Sequence, residues 1–158
     1  MTRQFLLAFA TLLSLALAAC APATQQVSLY YYDPDLDLDA NGNIQCSADG
    51  LVAVQREVSG SLSGERLIEE TINLLIAGEL SESERAQGLT TEYPLEGVTL
   101  DDVMLDDGTL TLTFSDPNHQ TSGGACRAGI LWLQIEQTAL QLAGVNLVRF
   151  TPEDLFQP

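Results

Sequence analysis

The sequence predicts an α+β fold, a mixed sheet of about five strands with two main helices on one face, in the order β-β-α-β-β-α-β. Three observations predict it. Runs of β-branched and aromatic residues with strand-like alternation recur along the chain. Two longer segments repeat apolar residues at helical spacing and end on glycine. Between two alternating runs stands Asp107-Gly108, a strong signal for an antiparallel hairpin.

The first strand is VSLYYY, residues 27–32, closed by Asp33-Pro34. An acidic loop follows as far as Asp49. Leu51 to Val58 alternates again and reads as a second strand, paired with the first across the loop. The breaker cluster 59–64 leads into a helix, with Ser63 placed to cap it and Glu65 in its first turn. Ile68, Ile72 and Leu75 share its apolar face, and Gly78 ends it. Ser81 to Glu84 has the spacing of a capping box for a short further turn. After the Asp107-Gly108 turn, Leu110, Leu112 and Phe114 alternate with threonines, so one face is apolar and the other hydroxylated. The longest helix is expected over 125–143, with Ala128, Leu131, Ile135, Ala139 and Leu142 on one face and Gly144 at its end. Residues 145–150 form the last strand.

The chain opens with Arg3, an apolar stretch from Phe5 to Ala18, and then Ala19-Cys20. That stretch is short for a membrane span and has the layout of an export leader. A cysteine directly after small residues is the pattern of a bacterial lipoprotein signal. Residues 1–19 are therefore expected to be removed and Cys20 to carry the lipid. Residues 20–26 would be the lipidated cysteine with a short tether, and 27–158 one domain. Two or more acyl chains, at about 0.8 kcal/mol per buried methylene, make a stable anchor. The expected location is extracytoplasmic, on a bacterial membrane, with inner or outer membrane left open.

Composition narrows the partners. There are 22 acidic residues, six arginines, no lysine and a formal net charge of −16. Such a surface repels nucleic acid. Beyond Cys20, two cysteines remain, Cys46 and Cys126. In an exported chain an even pair points to a disulfide. The competing reading is a nucleophilic Cys126, or Ser122, activated by His119, the only histidine; it would make the chain a cell-wall hydrolase.

The segments TINLLIAGEL (71–80), LDDGTLTLTFSDP (105–117) and GILWLQIEQTALQLAGVNLVRF (129–150) occur in the order shown by the GerMN domain family, which this chain resembles over about residues 27–150. The resemblance implies a fold similar to the ring-building motifs of secretion-type assemblies. It also implies an envelope protein, often a lipoprotein, with no established catalytic residues. Some members act in spore formation and germination and carry two copies. This chain departs from them in its single copy, its acidic loop and its cysteine pair.

The acidic loop has the spacing of half a calcium loop. With Asp37 at position one, Asp39, Asn41 and Asn43 fall at positions three, five and seven, and Gly42 at six. Position twelve, where a bidentate carboxylate belongs, is Ala48. Calcium on Asp37, Asp39, Asn41 and Asn43 is thus an alternative to a solvated acidic turn. The function expected from the whole is a non-enzymatic, lipid-anchored binding or assembly module of the cell envelope. It would have no catalytic residues and no required cofactor, and would work through an envelope protein partner or self-association. Calcium-dependent binding and hydrolysis are the alternatives.

Overall fold

A computed structural model of the protein describes residues 23–157. The expected leader and Cys20 lie outside the described residues. Strand β1 (Thr24–Tyr32) pairs antiparallel with β2 (Leu51–Ser59), from Thr24 opposite Ser59 to Tyr32 opposite Leu51. The first strand starts earlier than its apolar pattern indicates. Thr24, Gln25 and Gln26, expected in the tether, are paired with Ser59, Val58 and Glu57, and Gln26 Nε2 donates to Glu57 Oε1 at 2.9 Å. Polar side chains on an exposed strand end leave no hydrophobic signal, but they pair as well as any others.

Helix α1 (Glu65–Ile76) buries Ile68, Thr71, Ile72 and Leu75. Its N-cap is Gly64 at φ 56, with no side-chain cap. Ser63 is one residue too early to cap it. Glu65 reaches sideways instead and accepts from the Leu105 N–H at 2.8 Å, tying the helix start to a neighbouring strand. The short helix α2 (Glu82–Ala86) has the expected capping box between Ser81 and Glu84. Strands β3 (Thr99–Asp106) and β4 (Thr109–Ser115) form the hairpin about Asp107-Gly108, with a register shift between Leu100 and Asp102. Helix α3 (Ala125–Leu140) then crosses over to β5 (Leu147–Thr151), which lies parallel to β4. A parallel neighbour requires a crossover of this kind.

The architecture is α+β, as expected, and the strand and main-helix order is the expected one. The strands divide into two sheets, however: β1-β2, and β3-β4-β5 in that order. The reason is visible at β1. There the Tyr30 N–H donates to the Thr138 hydroxyl of α3 at 3.0 Å, so a helix side chain takes a position another strand would have filled. Helices α1 and α3 pack on each other, α3 lies against β1, and α1 lies against β3. The helices therefore join the two sheets. Between them sit Leu29, Tyr31, Ile72, Leu75, Leu110, Leu112 and Ile135, all buried. At the far end Phe150 packs on Trp132 and Phe156, with ring centroids 4.6 and 4.8 Å apart.

Candidate functional site

The most distinctive local chemistry lies where the β1–β2 loop meets the start of α3. After β1, Asp33 caps a single turn (Pro34–Leu36), accepting from the Asp35 N–H at 3.0 Å. The chain then folds into a miniature hairpin. Leu38 and Ile44 face each other, the Asp39 N–H donates to the Asn43 carbonyl at 2.9 Å, and Gly42 takes the turn at φ 82. Asp39 holds this turn with its carboxylate, accepting from the N–H groups of Asn41 (2.7 Å) and Asn43 (2.8 Å) and from Asn43 Nδ2 (3.0 Å). Those bonds, the Asn43 side chain first, lower its pKa to about 2.

Asp37 points the other way. It is 1% exposed and accepts from the Tyr32 hydroxyl at 2.5 Å and the Ser47 N–H at 2.7 Å, with a further bond from the Ser47 hydroxyl. Burial alone would raise its pKa, but the bonds from Ser47 and Tyr32 outweigh burial and hold the carboxyl below its ordinary value. Burial and the same contact to Asp37 push the Tyr32 phenol up. The four calcium candidates are thus arranged as an inward-facing carboxylate, Asp37, and an Asx-type turn made of Asp39, Asn41 and Asn43. Among the described residues no group of three or more His, Cys, Asp or Glu is placed to hold a metal ion.

Cys46 follows the hairpin, left-handed at φ 57, and its sulfur is bonded to Cys126 in the first turn of α3. The Cα atoms are 5.2 Å apart and the sequence separation is 80. Cys126 is therefore not a free thiolate. His119 and Ser122 lie in the preceding loop, where the Ser122 N–H donates to the His119 carbonyl at 3.3 Å. Asp116 organises this loop, accepting from the Gln120 and Thr121 N–H groups (2.7 and 2.8 Å) and from the Thr121 hydroxyl (2.7 Å). Its burial raises the pKa, yet the bonds from Thr121 and Gln120 prevail and lower it. Arg127 pairs with Glu92 and donates to the carbonyls of Gln120, at 2.8 Å, and Ser122. The arginine near the Gly123-Gly124 helix start is thus a structural clamp.

A groove of about 400 Å³ runs from this clamp along α3, walled opposite by Tyr32 and residues 90–92. Gln134 forms part of its wall and is fully buried. The Thr91 hydroxyl accepts from the Tyr93 N–H at 3.2 Å and gives its own proton to Gln134 Oε1 at 3.0 Å. That fixes the amide so that Nε2 faces away from Thr91, where it meets no acceptor. Sequence reasoning missed Gln134, Tyr32, Ser47 and Glu92 as site residues. For Gln134 a signal was present, an amide on the apolar face of the longest helix, but hydrophobic periodicity passes over it.

Compared with known proteins, residues 28–154 match the family described as Germane: sporulation and spore germination. Among solved structures, the chain is similar to the tandem GerMN domains of the sporulation protein GerM from Bacillus subtilis. The identity there is 22% and the TM-score 0.49, covering 81% of this chain and 38% of that one. It is similar also to the first GerMN domain of that protein, at 16% identity and TM-score 0.47, covering 80% of each chain. The chain thus spans well under half the length of the tandem structure. No curated protein matches it.

Proposed function

The chain belongs to the Germane family of sporulation and spore-germination domains, and from that premise we propose that it is a non-catalytic binding or assembly module, tethered by a lipid on Cys20 to the outer side of a bacterial membrane. The observation that carries this reading is the Cys46–Cys126 bridge. Disulfides persist in oxidising compartments outside the cytosol, which is where a chain with the leader of residues 1–19 is delivered. The same bridge takes away the one thiol that a nucleophilic mechanism would use. No described helix is long and apolar enough to cross a membrane; attachment in this reading is by the lipid on Cys20.

The early start of β1 tightens the geometry. From Cys20 to Thr24, where the sheet begins, the chain spans at most about 14 Å. A partner of the domain is then itself close to the membrane, a membrane-proximal protein or a second copy. In cells given a radioactive fatty acid, the mature protein is expected to carry label and to sediment with membranes. Cys20→Ala is expected to lose both properties. An unlabelled wild type, or one recovered in the cytosol with its leader intact, overturns the reading. Crosslinking in isolated membranes followed by pull-down then identifies the partner.

A further inference from the structure

We propose that the small hairpin of residues 37–45, with Leu36 beside it, is a docking knob for a basic protein partner, one that offers an apolar hollow rimmed by lysine or arginine. Among the described residues the exposed large hydrophobics gather here: Leu36, Leu38 and Ile44 are 59, 44 and 51% exposed, and only Met104 and Leu147 join them elsewhere. Leu38 and Ile44 pair across the hairpin. Leu36 stands two residues before Leu38, on the other side of Asp37, which turns inward and is buried. None of the three aliphatic side chains belongs to the core cluster. A cross-strand pair explains why Leu38 meets Ile44, but it does not explain why Leu36 stays in water. Singly exposed aliphatic residues are ordinary, whereas a contiguous apolar group with a polar border marks an interaction site.

The border selects the partner. Residues 33–50 contain Asp33, Asp35, Asp37, Asp39 and Asp49 and no basic residue. Asp35 and Asp49 are exposed and Asp39 is half-buried, and among the described residues none of the five takes part in an ion pair. An apolar centre inside a polar rim is the anatomy of a protein interface. An anionic rim without compensating cations favours a cationic one opposite it. The same charge disfavours the other occupants: it repels anionic lipid head groups, and it would set the aspartates of one copy against those of a second. The knob also needs little ordering before it binds. Asp39 closes its turn on Asn41 and Asn43, Asp37 roots it on Tyr32 and Ser47, and Cys46 fastens it to α3. Such preorganisation lowers the entropic cost of association. The proposal supplies the partner chemistry that the binding-module reading leaves open; it rests on that reading but not on the lipid at Cys20.

The test uses the full chain in detergent, nitrogen-15 labelled and titrated with a short amphipathic peptide of leucine and lysine. Amide shifts at residues 36–45 are expected to move and to saturate. A lysine–serine peptide of equal charge and a leucine–glutamate peptide should each bind at least tenfold more weakly. Salt at about 1 M, where the Debye length is about 3 Å, should weaken the leucine–lysine peptide as well. The triple variant Leu36→Ser, Leu38→Ser, Ile44→Ser keeps every charge and is expected to lose at least tenfold, followed at the Asn43 and Gln45 amides. All three positions are exposed, so its melting temperature should stay near that of wild type. Asp35→Asn with Asp49→Asn keeps the apolar group and should weaken binding severalfold while flattening its salt dependence. Met104→Ser with Leu147→Ser removes the exposed hydrophobics of β3 and β5 and should bind as wild type does. Absence of a saturable shift, equal affinity for the lysine–serine peptide, or full binding by the triple variant overturns the proposal. Overhauser contacts from detergent chains to Leu38 and Ile44 that the peptide does not displace would give the patch to lipid. A concentration-dependent dimer abolished by the triple variant would give it to a second copy, and either result overturns the proposal. A chain that crosslinks to a partner in its membrane yet binds no basic peptide fails here alone, and the binding-module reading stands.

Discussion

Replacing both Cys46 and Cys126 by serine removes the one covalent link between the β1–β2 loop and α3. The bridge closes a loop of sequence separation 80. In the chain-entropy treatment this withdraws about 4.5 kcal/mol from the unfolded state at 25 °C. Some of it returns in the variant, because Cys46 is left-handed at φ 57 and the freed segment recovers about 1 kcal/mol by relaxing. The expected net loss is about 3.5 kcal/mol. With an unfolding entropy of about 2.1 cal/mol/K per residue over about 135 ordered residues, the melting temperature falls by about 12 °C. Urea unfolding of wild type and double variant in oxidising buffer measures the first quantity, and thermal melts the second. Equal urea m-values would show that the change lies in stability rather than in the extent of unfolding. A double variant within 1 kcal/mol of wild type, or two titratable thiols in the native wild-type domain, refutes the reasoning.

Asp37→Ala strips the acceptor from Ser47 and Tyr32 and should cost about 2–4 kcal/mol in urea unfolding, since charged hydrogen bonds are lost and buried donors are left unpaired. Glu84 is bonded by both terminal guanidinium nitrogens of Arg56 at 2.8 Å, and that pairing lowers its pKa to about 2. Its folded pKa lies below the unfolded value of about 4.3, so the stabilisation is present above that value and lost as pH falls toward 2. Wild type and Glu84→Gln should accordingly differ by about 2 kcal/mol at pH 7 and converge near pH 2, as followed by urea melts across that range. Gly78 lies at φ 68, where an added Cβ would overlap the Tyr93 carbonyl, so Gly78→Ala should destabilise by about 3 kcal/mol or more, read as a fall in melting temperature. Phe150→Ala opens the aromatic cluster with Trp132, Phe114 and Phe156 and should cost about 3–5 kcal/mol by the same assay.

Element identity was largely legible from local pattern. The threonine-leucine alternation of β4, the Asp107-Gly108 turn, the Ser81–Glu84 box and the apolar stripe of α3 all report interactions within a few residues of one another. Division into two sheets was not legible, because it depends on Thr138 meeting Tyr30, a contact across 108 residues of chain. The acidic loop was ambiguous for a chemical reason. Asp-x-Asn-Gly serves a calcium loop and an Asx-held hairpin equally well, and only the third dimension shows Asp37 turning inward to Tyr32 and Ser47 while Asp39 turns back on Asn41 and Asn43. Gln134 escaped because a polar residue within an apolar stripe breaks no periodicity strongly enough to be noticed. Its meaning lies in an atom left without a partner, which is a property of the folded packing.

The pairing of β1 with β2 also has a mechanical side. Thr24 to Tyr32 is matched residue for residue with Ser59 back to Leu51. A pull applied at residue 24 along the strand axis loads the whole ladder in shear, so its bonds share the force and do not open one at a time. Beyond Tyr32 the slack of the connecting loop ends at Cys46, which is fastened to α3. Tension entering at the N-terminal end is thus passed to the longest helix through a covalent stop.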